Sequence, residues 1–386
     1  MVIYYFCSRV LSSGVRWAKW SLHHRYILLN QDIHRPHTIN FMDFPGKSPL
    51  ILLLVFFILE LWASRAECRS LHRESILLAR HERWMAQHGR TYKDAKEKDR
   101  RFAIFKSNVE HVESFNSALG KDYKLKINEF ADLTNEEFRA FRNGFRRTKA
   151  KMGSTKDDTS FRYENFTDVP SFMDWREKGA VTPVKSQGHC SSCWAFSAVA
   201  AVEGLIKITT GKLISLSEQE LVDCDVGGNN HGCEYGLMDN AFEFIQQNNG
   251  LATEAEYPYN GSRGACRAVT SLDHTVKIGG YEDVPMNDEG ALLKAVANQP
   301  VSVAVDSDGD FQFYSSGVFT GGCGTDFDHA VTIVGYGTSA NGIKYWLVKN
   351  SWGTGWGEEG YVRIQREVDT KEGLCGIAVL ASYPVA

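Results

Sequence analysis

The stretch Gln187-Gly188-His189-Cys190-Ser191-Ser192-Cys193-Trp194-Ala195-Phe196-Ser197 decides how this chain is interpreted. Cys193 stands where an apolar, alanine-rich helix is predicted to begin, and that helix continues through Val199, Leu205 and Ile206. A cysteine in the first turn of a helix meets unpaired backbone N–H groups and the positive end of the helix dipole, which favour the thiolate. The pattern therefore predicts a reactive thiol, although a lone cysteine on such a helix is more often a small core residue.

Two motifs far downstream extend this pattern. Asp328-His329-Ala330 opens one run with strand character, and Asn350-Ser351-Trp352-Gly353 follows another. Together with Cys190-Ser191-Ser192-Cys193-Trp194 they resemble the papain-like cysteine proteases, whose signature is Cys-Gly-Ser/Ala-Cys-Trp/Tyr with His and Asn downstream. The resemblance covers about residues 76–386. It looks closest to the plant senescence-associated type, judging by runs such as 215–221, 310–319 and 373–376.

Length and composition agree with a folded, multi-part chain. The 386 residues are 43% apolar, which is enough to bury a full core and to form more than one folding unit. Helical patterns precede runs with strand character, such as 300–305, 330–336, 345–349 and 360–364, so an α+β fold is predicted. The resemblance implies the papain-like version of that fold: a helical lobe and a β-barrel-like lobe with a cleft between them, preceded by a helical inhibitory prodomain.

Charge is distributed unevenly along the chain. Residues 67–168 hold 22 basic and 17 acidic side chains, a net charge of +5, whereas residues 169–386 hold 14 basic and 27 acidic ones, a net charge of −13. A basic segment can serve nucleic acid, but no segment combines a basic cluster with exposed aromatic platforms. We therefore expect no nucleic-acid binding, and instead attraction between the basic segment and the acidic domain that follows it.

Seven of the nine cysteines lie in residues 169–386, and an odd number leaves one thiol free. Cys190 and Cys193 form a C-x-x-C, which also fits a redox motif or half of a zinc site. No second C-x-x-C or His pair stands at zinc spacing, and the βαβ context of a redox motif is missing, so neither a metal nor a cofactor is expected. Spacing alone cannot choose the pairing. The resemblance implies three disulfides that leave Cys193 free: Cys190–Cys233, Cys224–Cys266 and Cys323–Cys375.

The resemblance also implies catalytic roles. Cys193 is the expected nucleophile, His329 the imidazolium that gives a proton to the leaving amine, and Asn350 the acceptor that orients the ring. Gln187 is expected to hold the oxyanion together with the Cys193 N–H. Asp328 is interpreted as a charge at the edge of the cleft, because neighbouring residues on a strand point to opposite faces.

Substrate preference is predicted from the pocket for the residue two positions before the scissile bond (the S2 pocket, for P2). By resemblance its walls are the apolar residues Leu237, Met238, Ala304, Phe327, Ala330 and Leu380. The preferred P2 residue should therefore be Leu, Phe or Val rather than Arg. Gly236 is expected to pair with the P2 backbone. Tyr235 replaces a family glycine, where it can stack on a P3 side chain, obstruct the cleft, or be strained if the backbone has positive φ.

Ser191 also replaces a family glycine. Together with Tyr235, this departure keeps open an alternative to the cysteine-type endopeptidase, namely a catalytically weak or non-catalytic storage or binding protein of the same fold.

An inhibitory prodomain is predicted upstream. Residues from Ile76 to Asn116 are rich in Ala, Arg, Lys and Glu and lack Pro, which predicts a helix. One face of it matches the propeptide helix of the family, namely Glu97, Arg101, Phe105, Asn108, Val112 and Asn116. Asn128-Glu129-Phe130-Ala131-Asp132 resembles the second propeptide motif. Thr134-Asn135-Glu136-Glu137 predicts a capping box that opens a short helix to about Phe141.

Domain limits follow from these segments. The apolar run Leu50–Leu59 is too short to span a bilayer and suits a signal peptide, with Ser64-Arg65-Ala66 as its cleavage motif. We expect a signal peptide at 42–66, an inhibitory propeptide at 67–168 with a polar linker at 147–160, and a peptidase domain at 169–386. Residues 1–41 are interpreted as an upstream extension from the gene model. A signal-anchor is the alternative to the cleaved signal.

Processing and partners complete the expectations. Asn165-Phe166-Thr167 and Asn260-Gly261-Ser262 are glycosylation sequons in a chain that enters the secretory pathway. The expected location is the vacuole or lysosome first and the extracellular space second. We expect a monomeric zymogen without a stable membrane span, activated at acidic pH. Its expected partners are protein and peptide substrates, its own propeptide, and cystatin-like inhibitors.

Overall fold

The computed structural model of the protein describes residues 49–145, 161–267 and 276–386. This part of the chain forms two compact units, one ending at Thr91 and the other running from Tyr92 to Ala386. The predicted extension at 1–41, the first residues of the predicted signal peptide and the polar linker at 147–160 lie outside the described residues.

The first unit contains helix α1, Pro49–Gln87, which includes the apolar run of the predicted signal peptide and continues through the predicted cleavage motif. The expected continuous helix over 76–116 is wrong in its middle. Helix α1 ends at Gln87, Gly89 adopts a φ of 60°, and helix α2, Ala95–Ser117, begins only after Asp94. The Asp94 side chain accepts a hydrogen bond from the Glu97 N–H, so a glycine in the left-handed region and a helix cap divide the segment.

The predicted face of α2 binds the chain that follows it. Asn108 Nδ2 donates hydrogen bonds to the carbonyl oxygens of Ala131 and Leu133 at 2.9 and 3.0 Å. Asn116 binds both backbone groups of Leu125, in strand β1, Tyr123–Leu125. The buried side chains of the helix are Phe105, Val109 and Val112. Residues 118–134 are therefore not helical, and hydrogen bonds from Asn108 and Asn116 hold them against α2.

Helix α3, Asn135–Arg142, begins as the capping box predicts. Thr134 Oγ1 accepts from the Glu137 N–H at 3.2 Å, and the Glu137 carboxylate accepts from the Thr134 N–H at 3.1 Å. The helix buries Phe138 and Arg142, whose neighbours lie in the C-terminal part of the chain, as described below.

Helix α4, Cys193–Thr210, is the central helix of the second unit. Its residues from Cys193 to Ile206 are almost all buried, which explains why its sequence is apolar on every side. By length and composition the helix could cross a membrane, but 72% of it is buried inside the protein, as expected for a core helix. Helices α5, Glu218–Cys224, and α6, Met238–Gln247, follow it.

The rest of the unit is built on a sheet, which has nine strands among the described residues. Strand β6, His329–Thr338, lies at its centre and pairs in antiparallel fashion with β4, Val301–Val305, and β7, Lys344–Lys349. The other elements are β2 (Met173–Asp174), β3 (Gly280–Asp283), α7 (Glu289–Asn298), β5 (Tyr314–Phe319), β8 (Tyr361–Gln365) and β9 (Ala381–Val385). The strand order across the sheet is β1-β5-β8-β7-β6-β4-β9-β3, and β2 also pairs with β6.

This architecture confirms the predicted α+β class. The predicted strand runs coincide with β4, β6, β7 and β8, since β-branched and aromatic residues suit a buried sheet. Strand β1 pairs with β5 at one edge of the sheet, so a strand of the predicted prodomain extends the sheet of the C-terminal domain.

The site is positioned where α4 packs against the sheet. Ser197 Oγ donates to the Val331 carbonyl oxygen at 2.7 Å, and Ser302 Oγ donates to the Ser197 carbonyl oxygen at 2.9 Å. These bonds join the second turn of α4 to β6 and β4. As a result, the first residue of α4, Cys193, lies at the start of β6, which begins with His329.

Candidate active site

Cys193 is the first residue of α4 and is fully buried. Its sulfur accepts a hydrogen bond from the Gly144 N–H at 3.2 Å. Burial raises the pKa of the Cys193 thiol to about 11, even though the backbone N–H groups of Ala330 and Gly144 act in the opposite direction. The expectation that the helix start favours the thiolate is therefore outweighed in this state, because the desolvation of a buried thiolate costs more than the helix end returns.

His329 and Asn350 form the second part of the site. His329 Nε2 lies 2.8 Å from Asn350 Oδ1, and the imidazole stacks on Trp352 with ring centroids 4.4 Å apart. Burial lowers the pKa of His329 to about 4, although the Asn350 hydrogen bond raises it. A proton on Nε2 satisfies Asn350 and leaves Nδ1 as an acceptor, and Nδ1 has no hydrogen-bond partner among the described residues.

Gln187 presents its amide to the carbonyl groups of the cleft. Ser351 Oγ donates to Gln187 Oε1 at 2.6 Å and so fixes which end of the amide points outward. Gln187 Nε2 then donates to the carbonyl oxygens of Cys190 at 2.9 Å and Arg142 at 2.8 Å. The second acceptor belongs to the predicted prodomain. A peptide carbonyl therefore already occupies the place where the resemblance puts the oxyanion.

An extended segment of the predicted prodomain lies in the cleft. The Gly144 carbonyl oxygen accepts from the Gly236 N–H at 2.7 Å, and the Phe145 N–H donates to the Asp328 carbonyl oxygen at 3.1 Å. A Cβ atom added at Gly144 would lie 1.7 Å from the Ser191 carbonyl oxygen. The segment therefore approaches the cleft wall more closely than any residue with a side chain could.

The apolar side chains predicted for the S2 pocket come together in one cluster. Leu237, Met238, Ala304 and Ala330 are buried in it, and Phe327 and Leu380 pack against it. Phe145 is a buried member of the same cluster, so the prodomain itself contributes an aromatic side chain there. A Cβ atom at Gly236 would lie 2.4 Å from the Trp194 ring, which explains a glycine at the position that pairs with the cleft segment.

Tyr235 lies at the edge of this region. Its ring is half-buried, with its centroid 4.5 Å from that of His231. It lines a cavity of about 370 Å³ together with Phe141, His189 and Ser191. Tyr235 is not among the non-glycine residues with positive φ in the described chain, so the strain considered for this position is absent.

The predicted prodomain packs on the indole ring of Trp352. Phe138 and Phe130 meet the indole edge to face, with centroids 4.9 and 6.1 Å away. Phe138 was missed in the sequence analysis. The signal that could have found it is the hydrophobic staple, in which the residue before the N-cap packs against the fourth residue of the helix. Leu133 and Phe138 stand at those two positions around the capping box.

Arg142, Gly144 and Phe145 were also missed. They follow α3 without a local motif, and their importance comes only from what they contact across the cleft. The Asp328 carboxylate binds Ser307, Arg139 and Asn143, and its role as a charge at the edge of the cleft stays a prediction.

The disulfides have the expected pairing: Cys190–Cys233, Cys224–Cys266 and Cys323–Cys375. Cys193 is the free thiol among the cysteines whose side chains the structure describes. The sequon residues Asn165 and Asn260 are both exposed.

Two family descriptions match this chain. Residues 169–385 match "Papain family cysteine protease", which covers more than half of the sequence. Residues 81–138 match "Cathepsin propeptide inhibitor domain (I29)".

Curated relatives match along almost their whole length. The senescence-specific cysteine protease SAG39 of Oryza sativa subsp. indica is 54% identical over 343 residues, which cover 87% of this chain and 98% of the relative. The senescence-specific cysteine protease SAG12 of Arabidopsis thaliana is 56% identical over 321 residues, which cover 82% and 92%.

A solved structure has the same arrangement. The ragweed pollen allergen Amb a 11, a cysteine protease crystallised in its proform, superposes with a TM-score of 0.74 at 47% identity, covering 82% of this chain and 97% of that one. The fold is that of a papain-like proform, with an inhibitor domain preceding the protease domain. This chain is therefore a member of the papain family of cysteine proteases.

Proposed function

We propose that the protein is an endopeptidase made as a zymogen, with Cys193 as nucleophile, His329 as proton carrier and Asn350 as the residue that orients the imidazole. The observation that carries the proposal is the extended segment across Cys193, whose backbone is bound by Gly236 on one side and by Asp328 on the other. A cleft that binds a peptide backbone over a free thiol is suited to peptide substrates.

The proposed reaction proceeds in two stages. The Cys193 thiolate attacks the scissile carbonyl carbon, and the C–N bond breaks as imidazolium His329 gives its proton to the leaving amine. Water then loses a proton to His329 and adds to the thioester carbon, and the C–S bond breaks to release the carboxylic product and the thiolate. Asn350 Oδ1 accepts a hydrogen bond from the His329 Nε2–H throughout, so that Nδ1 is the nitrogen that exchanges protons.

The oxyanion formed in each stage is proposed to bind Gln187 Nε2 and the Cys193 N–H. The support is the hydrogen bond from Gln187 Nε2 to the Arg142 carbonyl oxygen, because this oxygen stands in for the carbonyl oxygen of a substrate. Ser351 holds the amide in the required orientation before any substrate arrives.

The prodomain is proposed to inhibit in two ways. It fills the cleft with residues 143–145, and its burial of the site shifts both catalytic groups toward their neutral forms, with pKa values of about 11 for Cys193 and about 4 for His329. Between those values the thiol and the imidazole are both uncharged. Removal of the prodomain rehydrates them, which favours the thiolate–imidazolium pair needed for catalysis.

Processing and location are proposed along the lines of the sequence analysis. We infer a signal peptide at 42–66, an inhibitory propeptide at 67–168 and a peptidase domain at 169–386, with activation by cleavage between 147 and 168. The vacuole or lysosome is the proposed location, with the extracellular space second. The exposed Asn165 and Asn260 are proposed glycosylation sites. We further propose that the protein is a monomer, that cystatin-like proteins inhibit it, and that it requires no cofactor.

The proposed substrate preference is tested with peptides that differ only at P2. Leu or Phe at P2 should give a kcat/KM roughly tenfold to a hundredfold higher than Arg, because an unpaired guanidinium in an apolar pocket is costly. Replacing Leu380 by Glu should raise the rate with Arg at P2 and should not improve the rate with Leu. A wild-type preference for Arg would contradict the pocket assignment.

Acid is proposed to loosen the prodomain through its internal ion pairs. The Arg101 guanidinium forms ion pairs with the carboxylates of Glu97 at 2.8 Å and Glu137 at 2.6 Å. The second pair joins α2 to α3. Burial acts to raise the pKa of Glu137, but the Thr134 N–H and Arg101 outweigh it and hold the pKa below the usual range. A carboxylate with a depressed pKa stabilises the folded state above its unfolded pKa of about 4.3, and this stabilisation is lost as the pH falls through the folded value.

We therefore expect a Cys193→Ala zymogen to be cut faster by added mature enzyme at about pH 4 than at about pH 7, because the stabilisation that comes from the depressed pKa of Glu137 begins to be lost below its unfolded pKa of about 4.3. Rates are divided by those for a small peptide substrate, which corrects for the pH profile of the enzyme. A Glu137→Gln change in the same zymogen should raise the cleavage rate at pH 7 and reduce the ratio of the rate at pH 4 to the rate at pH 7.

Equal corrected rates at both pH values for the Cys193→Ala zymogen would refute the electrostatic account. Packing of Phe130 and Phe138 on Trp352 would then be the main source of prodomain binding.

A further inference from the structure

The C-terminal domain holds the guanidinium of a prodomain residue between three carboxylates. Arg139 Nε lies 2.5 Å from Asp328 Oδ2, and the terminal nitrogens of Arg139 lie 3.4 Å from Asp326 and 3.8 Å from Asp308. The three acidic residues come from two loops of the C-terminal domain, whereas the cation comes from α3. The basic side chain is therefore a ligand that leaves when the prodomain is removed.

The Asp328 carboxylate, and the backbone that carries the other two, are held in place by their own domain. Asp328 Oδ1 accepts from the N–H and the hydroxyl of Ser307 at 3.0 and 3.1 Å. Asp306, which is 4% exposed, accepts from the N–H groups of Asp308 and Asp326, and so ties the two loops together. The Cys323–Cys375 disulfide anchors the second loop. The Asp328 carboxylate and the two loops are thus fixed by groups other than Arg139, and the exposed side chains of Asp308 and Asp326 extend beside it.

Chain order locates this site relative to the scissile bond. Phe145 belongs to the S2 cluster, Gly144 lies on the sulfur of Cys193, and the Arg142 carbonyl reaches Gln187. Arg139 is about one helical turn farther along the same path, away from the S2 pocket. Asp328 immediately precedes His329, which delivers the proton to the leaving amine in the proposed reaction. The carboxylates therefore lie toward the side of the cleft that receives the leaving peptide.

We propose that Asp308, Asp326 and Asp328 form a subsite for a basic side chain on the leaving side of the scissile bond, at P1′ or P2′. This inference rests on the proposed peptidase function and goes beyond it. Once Arg139 is gone, the three carboxylates, which lie in a domain of net charge −13, lack the cation that the zymogen supplies. A substrate arginine or lysine restores it and gains affinity both from the contacts and from the surrounding field.

The test uses internally quenched peptides with Leu at P2 and with Arg, Gln or Glu at P1′ or P2′. At low ionic strength we expect Arg at one of these positions to raise kcat/KM roughly fivefold to tenfold over Gln, and Glu to lower it. The difference should shrink at about 0.5 M salt, where screening is strong. If the Gln peptide is cleaved well but Arg, Gln and Glu give equal values at both positions, the subsite is wrong while the peptidase function stands. If no peptide is cleaved, the proposed function fails with it.

Variants separate contact from general charge. The double change Asp308→Asn and Asp326→Asn should lower the Arg to Gln ratio toward one, with Asp328 alone left to attract the basic side chain. The ratio is taken within each variant, and active enzyme is counted by covalent thiol titration, so losses in folding or activation cancel. A matched control removes two exposed charges elsewhere, Glu177→Gln and Asp369→Asn, and should keep the wild-type ratio. An equal fall of the ratio in both double variants would show only a long-range field and would overturn the subsite.

Discussion

Cys193→Ala is expected to lower kcat/KM for peptide hydrolysis by at least about 10³-fold once the prodomain has been removed by an added, immobilised protease. The reason is that Cys193 is the free thiol in the cleft, with a peptide backbone bound directly on its sulfur. The change from Cys to Ala is small, so circular dichroism and thermal unfolding should remain close to those of the wild type.

Labelling distinguishes this enzyme from a non-catalytic protein of the same fold. A thiol-reactive epoxide should modify the activated wild type at Cys193 and abolish activity in proportion. Absent labelling, or labelling spread over several cysteines, would instead favour a storage or binding protein.

Two further variants test the division of roles. His329→Ala should cost about 10²- to 10⁴-fold, the range of general acid–base catalysis, whereas Asn350→Ala should cost less because it only orients the ring. Equal losses in two well-folded variants would contradict these roles.

Gly144→Ala is expected to open the active site of the intact zymogen. The added Cβ atom would lie 1.7 Å from the Ser191 carbonyl oxygen, a backbone atom that cannot move aside as a side chain can. Segment 143–145 must then leave the cleft, which exposes Cys193 and removes the burial that raises its pKa. At neutral pH we expect epoxide labelling of Cys193 to be at least about fivefold faster than in the wild-type zymogen, since overpacking costs about 1 kcal/mol or more.

Gly120→Ala is the matched control for this change. It is a glycine-to-alanine substitution in the same prodomain, and a Cβ atom there meets nothing within 4 Å. Its φ of 75° imposes a modest backbone strain, so it reports what local destabilisation alone does to labelling. If both zymogens label as slowly as the wild type while remaining folded, the close approach at Gly144 is not what holds the cleft shut.

Sequence patterns alone predicted the main elements of the C-terminal domain and the family to which this protein belongs. Apolar and β-branched periods placed α4 and the central strands, and the capping box at Thr134 placed the start of α3. These are local signals, readable within a few residues. The motifs around Cys193, His329 and Asn350 pointed to a thiol protease, and the resemblance they carry supplied the disulfide pairing.

One local signal was given too little weight. Gly89 and the cap at Asp94 divide the predicted helix over 76–116, although helix-forming residues stand on both sides. The helix propensity of the residues on either side, summed over a long window, masked Gly89 and Asp94, whose backbone conformations separate the two helices.

The tertiary structure alone decided what the prodomain does to the site. The helix start favours a charged Cys193, yet burial beneath Gly144 raises its pKa, and burial depends on residues 49 positions away in the chain. The same holds for Arg139 and the carboxylates of Asp308, Asp326 and Asp328, which no spacing connects. Desolvation and charge pairing arise from the sum of everything that surrounds a group in space. A sequence shows the groups themselves, but only the folded chain determines what surrounds them.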